Sequence, residues 1–266
     1  MEQRKRPEML KDFIVDDRGN GIYEITSPPM RFKEYLVIGR EKALLIDTGF
    51  GLGSLKRVVD GLTDKPLIVI NTHGHPDHVG GNAEFGTALL RAEDMELYGS
   101  KGSFECRLEE AGHWGIADAA EKLQPTPPAP TLLDSGTVLD LGGRLLLVLH
   151  TPGQTMGSVC VFDEESGALF TGDNTNEHGV SLGEDSSSTV EIYLKSLERI
   201  RTLGATVLYT GHMPGAVSPE QIDRLIACAE RILAGERGEY VKSPMFEGWR
   251  VEAEGASIIY REGKLK

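Results

Sequence analysis

Three histidines and one aspartate stand within six consecutive residues, His73-Gly74-His75-Pro76-Asp77-His78. Imidazole nitrogen and carboxylate oxygen are the donors that borderline divalent metals such as zinc prefer, and histidine–aspartate sites also take iron or manganese. Four such side chains on one short loop can converge on one cation or on two. The chain holds only 7 histidines, so three at this spacing are not a random scatter. The chemistry such a site supplies is that of a Lewis acid. A bound cation lowers the pKa of water from about 15.7 to about 7 and polarises an electrophilic carbonyl or phosphorus.

A loop of this kind needs a rigid support. The apolar run Leu67-Ile68-Val69-Ile70 leads straight into it and reads as a buried strand whose end aims the donors. Residues 22–25, 35–38, 43–46, 145–149, 159–162, 168–170 and 206–209 read as further strands, and 52–62 as a short helix. Val190, Leu194, Leu197 and Ile200 share one helical face, with Ser188 and Glu191 at capping-box spacing before them and Gly204 as the stop. Ser218-Pro219-Glu220-Gln221 opens a second helix. Its apolar positions Ile222, Leu225, Ile226, Ala229, Ile232 and Leu233 recur at helical period until Gly235. Residues 91–124 are polar, helix-leaning and interrupted by glycine, and a proline-rich connector follows at 125–130. The chain reads as one domain over 1–266, with 91–130 as an insertion or lid beside the core.

The histidine cluster His73-x-His75-x-Asp77-His78 resembles the signature of the metallo-β-lactamase superfamily, and four further motifs of that family follow its order. Leu45-Ile46-Asp47-Thr48-Gly49 is similar to its strand-end element, and His150-Thr151-Pro152-Gly153 to its third motif. Thr171-Gly172-Asp173 and Gly211-His212 are similar to its last two. The resemblance implies an α/β fold, the four-layer αββα metallo-β-lactamase sandwich, with two Zn2+ at one edge. Carried over position by position, it implies His73, His75 and His150 on the first metal and Asp77, His78 and His212 on the second, with Asp173 between them. It also implies a hydrolase in which a hydroxide bridging the metals attacks a small carbonyl substrate: an ester, thioester, lactone or lactam. Asp77 is then also the catalytic residue that orients the nucleophile or passes a proton to the leaving group. Asp47 lies outside the ligand motif and reads as a support that orients a ligand histidine.

Several departures narrow the resemblance. Position 173 is aspartate, unlike the cysteine of some lactamase classes, and Gln154 stands where a second histidine usually follows the third motif. Glyoxalase II-type thioesterases share the ligand set and length, but their glycine–arginine element is replaced here by Asn174-Thr175-Asn176-Glu177-His178-Gly179. Glu177, Glu184 and Asp185 suit an anionic glutathione conjugate poorly. No tyrosine of the lactonase kind follows Asp173 before Tyr193. The alternatives are a mononuclear iron oxidoreductase of the persulfide-dioxygenase type and a phosphodiesterase. Of the remaining histidines, His113 reads as exposed or packing, and His178 sits on the loop after Asp173, where it could line the cleft.

Composition bounds the partners. Across 266 residues, 41 acidic side chains against 28 basic ones give a net charge of −13, which disfavours polyanions and so argues against nucleic acid. The basic start Arg4-Lys5-Arg6 has no apolar segment behind it, and no apolar run is long enough to span a bilayer. Cys106, Cys160 and Cys228 are odd in number and widely spaced, unlike a disulfide framework, and read as small hydrophobes. A cytoplasmic enzyme with a small-molecule substrate is expected, with no membrane partner and with room for a homo-oligomer.

Overall fold

The computed structural model describes residues 12–134, 136–177, 179–243 and 247–266. Among these residues the strands form three sheets. The first has the order Ile14–Gly19, Ile22–Ser27, Phe32–Ile38, Ala43–Ile46, Leu67–Ile70, Leu89–Leu90, Thr131–Leu132. Its first four strands pair antiparallel and the rest parallel. The second has the order Val207–Thr210, Ala168–Gly172, Val159–Asp163, Leu145–His150, Val138–Asp140.

Alternation along the strands builds the layers. Side chains of successive strand residues point to opposite faces. Leu44 and Ile46 therefore face the second sheet, where they meet Val148, Val161 and Phe170. Ala43 and Leu45 face the other way, onto Leu55 and Val59 of the helix Leu55–Leu62. In the second sheet Cys160, Leu169 and Leu208 face outward onto the helices Val190–Arg201 and Glu220–Leu233. Each sheet thus buries both faces, and the result is the helix–sheet–sheet–helix order expected from the resemblance.

The third sheet is an addition that the sequence pattern did not reveal. Val180–Leu182, Ala256–Tyr260, Glu247–Ala253 and Glu239–Lys242 lie side by side. Val251, Ala253 and Ile258 pack in the same cluster as Ile222, Leu225 and Ile226 of the Glu220–Leu233 helix. Cap positions also differ by one residue. The Val190–Arg201 helix is capped by Thr189, whose hydroxyl accepts from Ile192 N at 3.3 Å, while Ser188 Oγ donates to Thr189 O. Cys160 and Cys228 are buried, Cys106 is half-buried, and all three are free. No described helix is long and apolar enough to cross a membrane.

Residues 91–130 contain three short α-helices, Met95–Lys101, Phe104–Trp114 and Ala119–Lys122. Arg107 ties them down. It is fully buried, and its guanidinium donates to the carbonyls of Gly102, Phe50, Gln124 and Pro125 at 2.8–3.0 Å. Phe50 belongs to the loop after the Ala43–Ile46 strand, so one side chain joins this segment to the edge of the sandwich. Unpaired buried carbonyls each cost about 1–3 kcal/mol. Arg107→Met is expected to destabilise the protein by about 3 kcal/mol or more, read as a lowered denaturant midpoint at constant slope.

Candidate metal centre

Three connections that follow strands of the two sheets bring donors together. After Leu67–Ile70 the chain passes through Thr72 and His73 and enters the single helical turn Pro76–Val79, with His75 at its cap position. The turn is held from behind. Thr48 N donates to His78 O at 2.9 Å, and Asn71 Nδ2 donates to the same carbonyl at 2.8 Å. Asp173 follows Ala168–Gly172, and His212 follows Val207–Thr210. The His212 loop is fixed by the first sheet: Tyr35 Oη donates to Thr210 O at 2.7 Å and Lys33 N to Gly211 O at 2.9 Å. Position 211 must be glycine, because a Cβ there would lie 2.5 Å from Asp173 Oδ1 and 2.7 Å from His78 Cε1.

Asp47 orients the cluster, as its place at the end of the Ala43–Ile46 strand suggested. Its carboxylate accepts from Thr72 N at 2.7 Å, Thr72 Oγ1 at 2.8 Å and His78 Nδ1 at 2.8 Å. His78 is thereby turned so that Nε2 faces Asp77 and Asp173. Asp47 does this at φ 62, a left-handed conformation that costs a non-glycine residue energy and concentrates at functional sites. Removing such a supporting carboxylate typically weakens metal binding about 10- to 100-fold. Asp47→Asn is expected to show that loss in a chelator-competition titration while its circular dichroism stays that of the parent.

The donors converge. His78 Nε2 lies 3.4 Å from Asp173 Oδ1 and 3.6 Å from Asp77 Oδ2. His212 Nε2 lies 3.0 Å from Asp173 Oδ2 and 3.5 Å from Asp77 Oδ2. His73 Nε2 and His75 Nδ1 are 2.9 Å apart. Within 4.8 Å of one another lie one donor each from His73, His78 and Asp173, and likewise from Asp77, His78 and His212. His75 Nε2, His78 Nε2 and Asp173 Oδ1 are buried without a hydrogen-bond partner. His75 Nε2 points away from the cluster to Glu184, but buried polar atoms are nearly always paired, so the two orphans that face the cluster, His78 Nε2 and Asp173 Oδ1, fit a cation.

The electrostatics agree. Burial alone lowers the basicity of His78, but the carboxylates of Asp47, Asp77 and Asp173 outweigh it and hold its pKa well above the usual imidazole value. At His212 burial likewise works against protonation, but Asp173 outweighs it and raises the pKa above the usual imidazole value. His73 goes the other way: burial and then the neighbouring His78 and His75 rings keep it well below the usual value, so it is a neutral donor. Burial pulls Asp173 up, yet the rings of His212 and His78 hold its carboxyl well below the usual range. On the Phe104–Trp114 helix, burial and then the charge of Asp77 push Glu110 up to about 7.

The structure does not bring His150 to these donors. As the last residue of the Leu145–His150 strand it sets Nε2 2.8 Å from Met156 O. Gln154 is held through its backbone, N donating to Asn174 Oδ1 at 2.9 Å. Tyr193 is fully buried and its hydroxyl donates to Asn174 O at 2.5 Å, supporting the turn after Asp173. His113 is exposed, and His178 lies outside the described residues.

Of two further carboxylates at the centre, Asp94 carries no signal in the sequence and Glu184 is legible only as acidic charge near the site, not as a partner of His75. Asp94 is buried and accepts from Gly74 N at 2.8 Å, Thr155 Oγ1 at 2.7 Å and Gly157 N at 2.8 Å. It locks the turn between His73 and His75 to the loop after His150. A Cβ at Gly157 would sit 2.5 Å from Asp94 Cγ, so the loop closes on this carboxylate only with glycine there. Glu184 sets Oε2 3.4 Å from His75 Nε2. Contacts across 20 and more residues leave no local spacing to read.

The family model of the metallo-beta-lactamase superfamily matches residues 35–212. The chain is 31% identical over 251 residues to the acyl-coenzyme A thioesterase MBLAC2 of Gallus gallus, covering 85% of this chain and 88% of that one. It is 30% identical over 233 residues to the atrochrysone carboxyl ACP thioesterase of Aspergillus chevalieri, covering 86% of this chain and 65% of that one. The crystal structure of the metallo-beta-lactamase family protein TTHA1429 from Thermus thermophilus is similar at TM-score 0.62 and 26% identity, covering 80% and 81% of the two chains.

Proposed function

The chain belongs to the metallo-beta-lactamase superfamily, and from that premise we propose that it is a dinuclear zinc hydrolase that cleaves acyl thioesters. The observation that carries this reading is the convergence of His73, His75, Asp77, His78, Asp173 and His212 with two buried donor atoms, His78 Nε2 and Asp173 Oδ1, left unpaired. Two similar proteins named as thioesterases favour thioesters over the other carbonyl substrates. Divalent cations held by these residues polarise a carbonyl oxygen and make water acidic near neutral pH.

The chain's own residues do the rest. Asp47 and Thr72 hold the histidines in one tautomer, so that no reorganisation is needed when the carbonyl arrives. Asp77 turns Oδ2 toward His78 and His212 and is only partly buried, so its carboxylate borders both the donors and the cleft, where it takes a proton from the attacking water and returns it to the leaving sulfur. The acyl C–S bond breaks, a C–O bond forms, and a carboxylate and a thiol leave. The thiol's pKa of about 8.5 makes it a good leaving group, so the demand on Asp77 is smaller than for an oxygen ester.

We assign residues 91–130 as an insertion that forms one wall of the cleft. Trp114 lies 6.0 Å from Phe32 between ring centroids, and Phe32 lies 5.7 Å from His212. That apolar wall beside the donors suits an acyl chain. The test is one metal-analysed preparation assayed on acyl-CoA, lactone, β-lactam and phosphodiester substrates. The reading expects about two zinc equivalents and the highest kcat/KM on acyl-CoA. Phosphodiester cleavage alone, or one iron equivalent with sulfur-dependent oxygen uptake, would reject it.

A further inference from the structure

We infer that the two cation seats of this centre are unequal, one complete and one short of a ligand, so that the protein loads its metals in two separate steps. The inference rests on the dinuclear reading above.

The complete seat is made by Asp77, His78, His212 and Asp173. His212 Nε2 approaches both carboxylates, at 3.0 and 3.5 Å, and His78 Nε2 approaches the same two at 3.4 and 3.6 Å. Two imidazoles and two carboxylates meet the four-coordinate preference of zinc and cancel its charge. His78 has only Nε2 to give, because Nδ1 is committed to Asp47 at 2.8 Å. His78 Nε2 lies within 4.8 Å of donors of both groups, but it can bind one cation only, and both carboxylates beside it also face His212, so we count it with that seat.

The other seat begins well and ends short. His73 Nε2 and His75 Nδ1, 2.9 Å apart, face a common point, and each ring is held from its far side. Thr72 Oγ1 lies 3.1 Å from His73 Nδ1, and Glu184 Oε2 lies 3.4 Å from His75 Nε2. Asp173 is within reach of His73 but is shared with the complete seat. Among the described residues no third imidazole joins them, since His150 is engaged with Met156 O. A cation here has two neutral nitrogens and part of one carboxylate, and it sits beside another dication. Its missing ligand and the repulsion both weaken it.

The experiment is a Zn2+ titration of the full chain, stripped of metal, against a chromophoric chelator, repeated with Co2+ to read coordination from visible absorption. One equivalent is expected to bind tightly and a second at least about 100-fold more weakly. His73→Ala should keep the tight step and lose the weak one, and His212→Ala should lose the tight step. His73→Gln gives the same reading should the alanine variant not fold. Two steps of matched affinity, or loss of the tight step in a folded His73 variant, would overturn the inequality while leaving the hydrolase reading intact. Absence of any binding would overturn both.

Discussion

Asp173→Ala is expected to stay folded and to lose at least about 1,000-fold in kcat/KM for an acyl thioester, together with bound metal. Asp173 stands at the end of the Ala168–Gly172 strand and touches His78 and His212 with different oxygens. On the proposed dinuclear reading it is the carboxylate common to both seats, so its loss would remove a ligand from each and the negative charge that offsets the cations. The strand beneath it keeps its core contacts through Leu169 and Phe170 on opposite faces, so the effect falls on the centre and not on the fold. Steady-state kinetics with metal analysis of the same sample read both losses. A variant as active as the parent would remove Asp173 from the centre.

Asp77→Asn should behave differently. The amide keeps an oxygen toward His78 and His212 but gives up the charge and the capacity to carry a proton. A loss of about 100- to 10,000-fold in kcat is expected, the usual worth of a positioned acid–base group, with KM changing little. The penalty should be smaller for a thioester than for the matched oxygen ester, because the sulfur leaves with less help. Metal affinity should fall less than in Asp173→Ala, since Asp77 serves one seat only. Equal penalties on the two substrates would reduce Asp77 to a ligand and deny it the proton.

What the residues reveal by themselves follows from distance along the chain. The His73–His78 cluster is legible because its donors are neighbours in sequence, and Leu67–Ile70 is legible because a buried strand is a continuous apolar run. Asp47 is legible as a support, since a carboxylate ending a strand beside a ligand loop has few other uses. The direction of His150 is not. Whether a strand-end side chain turns to the donors or to Met156 O is settled by how the following loop closes. Asp94 closes that loop through backbone donors at Gly74 and Gly157, 20 and 63 residues away, so no local spacing announces the contact even though position 157 must be glycine. The third sheet hides for a similar reason. Its strand Glu247–Ala253 carries glycine and charge, and it gains order by packing Val251 and Ala253 in one cluster with the residues of the Glu220–Leu233 helix. Thr189 displaces Ser188 as a cap because the helix starts one residue later than the capping-box spacing suggests.

The central claim is that thioester hydrolysis depends on cations held by this cluster. It is tested most directly by following thiol release from an acyl-CoA before chelation, after chelation, and after stoichiometric zinc is returned. The account predicts that activity disappears with the metal and returns with it in the parent, and that it does not return in Asp173→Ala. Hydrolysis that persists undiminished in protein shown to be free of metal would contradict it.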